Sequence, residues 1–100
     1  MKGNIRRENR IAVSEEINCN FGRILELSSQ GMFIASCLNG FAANDPIKLT
    51  ITTGNGSVIK IQARIRRITQ DGFGVQIDKS ATNIADLDQF HLLVKKCKSK

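Results

Sequence analysis

Two clusters in this chain of 100 residues combine residue types and spacings suited to gripping an anion. The first is Arg6-Arg7-Glu8-Asn9-Arg10, in which Arg6 and Arg10 are separated by three residues and Arg7 is adjacent. Arginine presents a planar fork that can hold a phosphate or a guanine edge through two parallel hydrogen bonds, and its plane can stack on a base; lysine can do neither. The second is Glu26-x-Ser28-x-x-Gly31, within Leu25-Glu26-Leu27-Ser28-Ser29-Gln30-Gly31-Met32-Phe33-Ile34. By the two-residue period of a pleat, Leu25 and Leu27 are expected on one face and Glu26 and Ser28 on the other. Gly31 then marks a bend with positive φ, or a backbone that must come close to a neighbour.

Other chemistry has little to work with. The chain has one histidine, His91, no tyrosine, and no evident pair of base and nucleophile, so no enzyme is expected. Cys19, Cys37 and Cys97 are odd in number and far apart, which predicts neither a disulfide framework nor a metal site. The formal net charge of +6, from 15 Lys+Arg against 9 Asp+Glu, favours an anionic partner without naming one. No apolar run approaches the ~18 residues that span a bilayer, and the N-terminus lacks an apolar signal-peptide core, so the expected location is cytoplasmic, without membrane insertion.

The positioning elements are mostly strands. Residues 1–10 read as a flexible arginine-rich segment. Ile11 to Asn18, Gly22 to Ser29 and Met32 to Ser36 read as the first three strands, with a turn at Cys19-Asn20-Phe21-Gly22. Ile47, Leu49 and Ile51 alternate with Lys48 and Thr50 in the fourth. Thr53-Gly54-Asn55-Gly56-Ser57 is a hairpin turn. In the fifth strand Ile59, Ile61, Ala63 and Ile65 oppose Lys60, Gln62, Arg64 and Arg66, and the pattern slips at Arg66-Arg67-Ile68, which predicts a bulge. After Asp71-Gly72 a sixth strand runs to Ile77. From Asn83 onward Ile84, Leu87, Phe90, His91 and Val94 fall on one helical face, with Thr82 or Asn83 as cap and Lys95, Lys96, Lys98 and Lys100 near the end. One domain is expected over residues 11–96, mainly β, a six-stranded antiparallel barrel with a C-terminal helix, followed by a basic tail over 97–100.

In this order the motifs resemble those of the PilZ domain family. Arg6-x-x-x-Arg10 looks like its RxxxR motif, and Glu26-x-Ser28-x-x-Gly31 looks like its (D/N)xSxxG motif, with Glu in place of Asp or Asn. Gly72-Phe73-Gly74-Val75-Gln76-Ile77 is similar to the family's closing strand. The resemblance covers about residues 5 to 95. It implies a bacterial receptor for cyclic di-GMP, with Arg6, Arg7, Arg10, Glu26, Ser28 and Gly31 as the ligand-binding set, no cofactor, and an unidentified protein effector through which motility, biofilm or secretion is regulated. Two other readings stand beside it. Glu26 suits a PilZ-like protein-interaction module that binds no cyclic di-GMP. A small basic barrel binding nucleic acid has less in its favour, because there is no Trp or Tyr, and Phe33, Phe73 and Phe90 read as core or cover. Arg64, Arg66 and Arg67 either join the site or keep an outer face in water, depending on which strands are neighbours.

Overall fold

The structure of the chain, a computed structural model, describes residues 11–13, 16–36 and 40–98, with the backbone alone for Ile11, Ala12 and Lys98. Strands β1 (Ile11–Ala12), β2 (Asn18–Cys19), β3 (Arg23–Leu27), β4 (Gly31–Ala35), β5 (Pro46–Thr52), β6 (Val58–Ile68) and β7 (Phe73–Ile77) precede one helix, α1 (Ile84–Lys98). The strand order is β1-β3-β2-β5-β6-β7-β4, and a further β3–β4 pairing closes the ring. β1 and β2 both lie antiparallel on the same side of β3, Ile11 opposite Leu27 and Asn18 opposite Arg23. They are two halves of one interrupted strand, and the result is a closed barrel of six antiparallel strand positions, as expected. Closure pairs every described strand but β1 on both sides, and β1 pairs β3 alone.

The alternation read in β5 and β6 holds. Ile47, Leu49, Ile51, Ile59, Ile61, Ala63 and Ile65 are buried, while Lys48, Lys60 and Arg64 face out. The β6–β7 register shifts between Ile65 and Arg67, the bulge expected there, with Arg66 as the inserted residue. A second bulge lies in β3, where Ile24 faces Ile34 but Glu26 faces Phe33. Leu25 is the extra residue. It is 37% exposed, and Ile24 and Leu27 are the buried pair. The expected common face for Leu25 and Leu27 is therefore wrong, because an inserted residue resets the pleat.

One mouth of the barrel is covered by Phe21 and Phe41, whose rings meet edge to face at 6.1 Å, Phe21 also meeting the buried Phe73 at 5.9 Å. The other is covered by α1, which packs on β6 and β1. Its buried face is Phe90, Leu93, Val94 and Cys97. Ile84 is 77% exposed, so it does not belong to that face. The helix includes Cys97, so the expected tail boundary at residue 97 falls within an ordered, packed turn. Asn83 is the cap: its Oδ1 accepts the Ala85 amide at 2.8 Å. Thr82 is buried instead, donating to the Asp78 carbonyl and accepting the Gln62 amide, which ties the start of α1 to β6. The Ser80 hydroxyl, bonded at 2.7 Å, is the largest cause holding the Asp78 carboxyl below its usual value in this connection.

Gly31 and Gly72 begin β4 and lead into β7 respectively, and neither has positive φ. They are required for closeness. A Cβ on Gly31 would stand 2.0 Å from the Val75 carbonyl oxygen, and one on Gly72 would stand 2.1 Å from that of Ile34. Both obstacles are neighbouring-strand backbone and cannot swing away. Gly31→Ala and Gly72→Ala are each expected to cost at least about 2 kcal/mol, a fall in Tm of roughly 8–16 °C by thermal melting. A melting point like the parent's would show that the β4–β7 pair accommodates the methyl group.

Candidate functional site

The residues expected to bind lie around the end of β3 and the turn into β4. Arg6, Arg7 and Arg10 lie outside the described residues. The start of β1 lies beside the ExSxxG strand end: Ile11 is the register partner of Leu27 and Ala12 of Glu26.

Glu26 sits on the outer face of β3, half-buried between Ala12 and Phe33. Ser28 is different. It follows the last residue of β3, in the turn into β4, and it is 1% exposed. Its hydroxyl accepts from the amides of Gln30 (3.2 Å) and Gly31 (3.1 Å) and donates to the Gly31 carbonyl at 3.3 Å. The Ser28 amide also donates to the Gly31 carbonyl, at 2.9 Å. The hydroxyl, expected as an adaptable group toward a ligand, is occupied in holding the Ser28–Gly31 turn.

A second turn repeats this chemistry. The Thr69 hydroxyl accepts from the amides of Asp71 and Gly72, both at 3.2 Å, and donates to the Gly72 carbonyl at 3.1 Å. The signal was present in the sequence: Ser28-x-x-Gly31 and Thr69-x-x-Gly72 share hydroxyl and glycine at the same spacing. The twin turn supports a structural reason for the serine and the glycine of the motif, and it leaves Glu26 as the outward-facing member.

On the outer face the registers align Glu26 with Phe33, Phe33 with Gly74, and Gly74 with Arg67. Phe33, expected as core or cover, is half-buried on this outer face, while Phe73 and Phe90 are fully buried. β6 borders β5 and β7 and touches neither β3 nor β4, so its arginines do not adjoin the Glu26–Gly31 stretch directly. Arg64 is held by its own neighbourhood, Nη1 donating to the Asn44 carbonyl at 3.0 Å.

Beside the turn, between Ser29 and α1, runs an open groove of about 560 Å³ lined by Ser29, Asp88, His91, Leu92, Val94 and Lys95. The His91 Nε2 atom is buried without a hydrogen-bond partner among the described residues. No group of histidine, cysteine or acidic side chains among the described residues is arranged to hold a metal ion. No described helix is long and apolar enough to cross a membrane.

Ser28→Ala removes an acceptor shared by two amides and is expected to destabilise the fold by about 1–3 kcal/mol, measured by chemical denaturation. Thr69→Ala, in the exposed twin turn, is expected to cost less, about 0.5–1.5 kcal/mol. A neutral Ser28→Ala would mean that those amides find water instead.

A comparison with curated proteins finds no match. Among solved structures, one from Legionella, an uncharacterized protein designated Lpg0364, superposes with a TM-score of 0.63 at 15% identity over 91% of this chain and 95% of that one, a likeness of fold. The family model described as the PilZ domain matches residues 4–92, from the arginine segment through the barrel and into α1. The chain belongs to the PilZ domain family.

Proposed function

We propose that the chain is a bacterial, cytoplasmic receptor for cyclic di-GMP that acts by changing its contacts with a protein effector. The PilZ family makes it a signalling and adaptor domain related to that second messenger; the ligand, the residues and the effector are our reading. The observation that carries the reading is the register of β1 on β3, Ile11 opposite Leu27 and Ala12 opposite Glu26. It puts the first residues of β1 beside Glu26, which supports a reading in which the preceding arginines and Glu26 serve one site.

In this reading Arg6 and Arg10 grip phosphate or the guanine O6/N7 edge, with Arg7 as an added cation. Glu26 accepts from the guanine N1 and N2 donors. Ser28 and Gly31 place the strand end and do not spend their own polar groups on the ligand. The ligand lies outside the barrel, and the arginine segment folds over it. Its path then differs between free and bound states, which gives an effector something to distinguish.

Glu26 favours a second reading. It reaches about one C–C bond, ~1.5 Å, further than the family's Asp. A site that places hydrogen bonds to within ~0.5 Å can lose its ligand to such a change, leaving a module that binds protein alone.

Isothermal titration with cyclic di-GMP, with GTP as control, separates the two. Saturable binding at micromolar or lower concentration is expected. Arg6→Ala and Arg10→Ala are each expected to weaken it more than tenfold, about 1.4 kcal/mol, with melting temperature unchanged. Glu26→Gln keeps the length but only one acceptor oxygen, and a loss of about tenfold is expected there too. No heat from the unsubstituted chain would sink the receptor and leave the protein-interaction module.

A further inference from the structure

The outward positions of β5 and β6 carry charge of one sign only. β5, β6 and β7 hold Lys48, Lys60, Arg64, Arg66 and Arg67 and no acidic residue, although the chain has 9. Lys60, Lys48 and Arg64 fall on successive outward rungs of one ladder, opposite Thr50, Gln62 and Pro46 respectively. Such rungs lie about 7 Å apart, so the three charges share a strip of about 13 Å on two neighbouring strands. All three side chains are exposed. Arg64 is also held in place, its Nη1 donating to the Asn44 carbonyl at 3.0 Å. A carbonyl orients the guanidinium without neutralising it, and that one bond leaves further N–H donors for a partner. Like charges at this spacing repel, and an opposing acidic surface relieves the repulsion.

In the ring β3-β2-β5-β6-β7-β4, β6 stands across from β3. The strip therefore faces away from Glu26 and the Ser28–Gly31 turn, and whatever docks on it leaves that side open. Its margins select the kind of partner. Asp45 directly precedes β5, the Asp78 amide donates to the Gln62 carbonyl, and the Asp86 carboxylate accepts the Lys60 amide at 3.2 Å. A uniform polyanion laid over the strip, whether nucleic acid or anionic lipid, would be repelled by those carboxylates. A protein surface can set acidic groups against the three cations and basic or neutral groups against the margins. Val58 is the next outward residue beyond Lys60 and is 53% exposed. It offers an apolar contact, which protein interfaces use and a phosphate chain does not.

We propose that the outer face of β5 and β6 is a docking surface for an acidic protein partner, with Lys48, Lys60 and Arg64 as its contacts and Val58 at its edge. It is separate from the proposed ligand site and stands whether or not the chain binds cyclic di-GMP.

The test is fluorescence anisotropy of the full chain with a labelled synthetic helix that carries a stripe of glutamates and one leucine. Saturable binding is expected at or below ~100 μM in ~0.15 M salt. Lys48→Glu combined with Lys60→Glu is expected to weaken it about tenfold or more, and Arg64→Ala about fivefold, with melting temperature unchanged. Arg23→Glu combined with Lys96→Glu changes the net charge equally at exposed sites outside the strip, and is expected to stay within about threefold of the parent. Equal losses from the two double variants overturn the proposal, because net charge alone then explains binding. Absence of saturable peptide binding overturns it too. So does tighter binding of a DNA duplex or of phosphatidylglycerol vesicles that the Lys48 and Lys60 substitutions abolish, which would assign the face to a uniform polyanion. Cyclic di-GMP is left out of every arm, so failure here and failure of the receptor reading are separate results.

Discussion

The barrel depends on backbones that approach more closely than side chains allow. Where β4 meets β7, the Gly31 α-carbon lies against the Val75 carbonyl, and where β7 begins, Gly72 lies against that of Ile34. These contacts bracket the β4–β7 ladder, which joins the β3–β4 hairpin to the β6–β7 hairpin. Each glycine is delivered by a turn in which a hydroxyl three residues earlier takes the amides that the turn leaves over. Without the hydroxyl those amides lose their acceptor, so the hydroxyl and the glycine work as a unit. The ExSxxG motif thus contains a folding device.

Much of the fold was legible because its strands are half-buried. Alternation from Ile47 to Ile51 and from Ile59 to Ile65 can only be read with those residues inside, and the slip at Arg66 shows because two successive charged residues cannot both face a core. The β3 bulge was not legible for the opposite reason. Ile24, Leu25 and Leu27 are all apolar, so an inserted residue left no mark on the pattern. The helix failed at one end in the same way. Ile84 fits an apolar stripe by spacing but is 77% exposed, while the first turn meets β6 through a polar group, the Asp86 carboxylate that accepts the Lys60 amide.

The site was legible as spacing and less so as geometry. The pairing of an arginine segment with Glu26-x-Ser28-x-x-Gly31 was visible from residue types alone. Glu26 faces outward as its spacing from Leu27 implies, but the burial of Ser28 was not legible, because it is set by the turn beyond the end of β3 and not by the pleat. The duplicate Thr69-x-x-Gly72 turn was the available clue that Ser28 serves the backbone. Phe33 was readable as core or cover, and only the register and the glycines beside it show that it is cover, its ring lying over β7.

A filled interior explains why any ligand must be held from outside. Ile24, Ile34, Leu49, Ile65 and Phe73 are completely buried, and α1 and the Phe21–Phe41 pair close the two mouths. Native interiors are packed like organic crystals, so no lumen remains for a dinucleotide. The outer face of a barrel is convex and cannot enclose a ligand on its own. It can supply a floor and groups at one margin, and the rest of any enclosure has to come from elsewhere. The start of β1, where Ile11 pairs with Leu27, lies beside Glu26. On the reading proposed above, a segment laid over that face would both hold the ligand and present a changed surface to a partner, so binding and signalling would be one event.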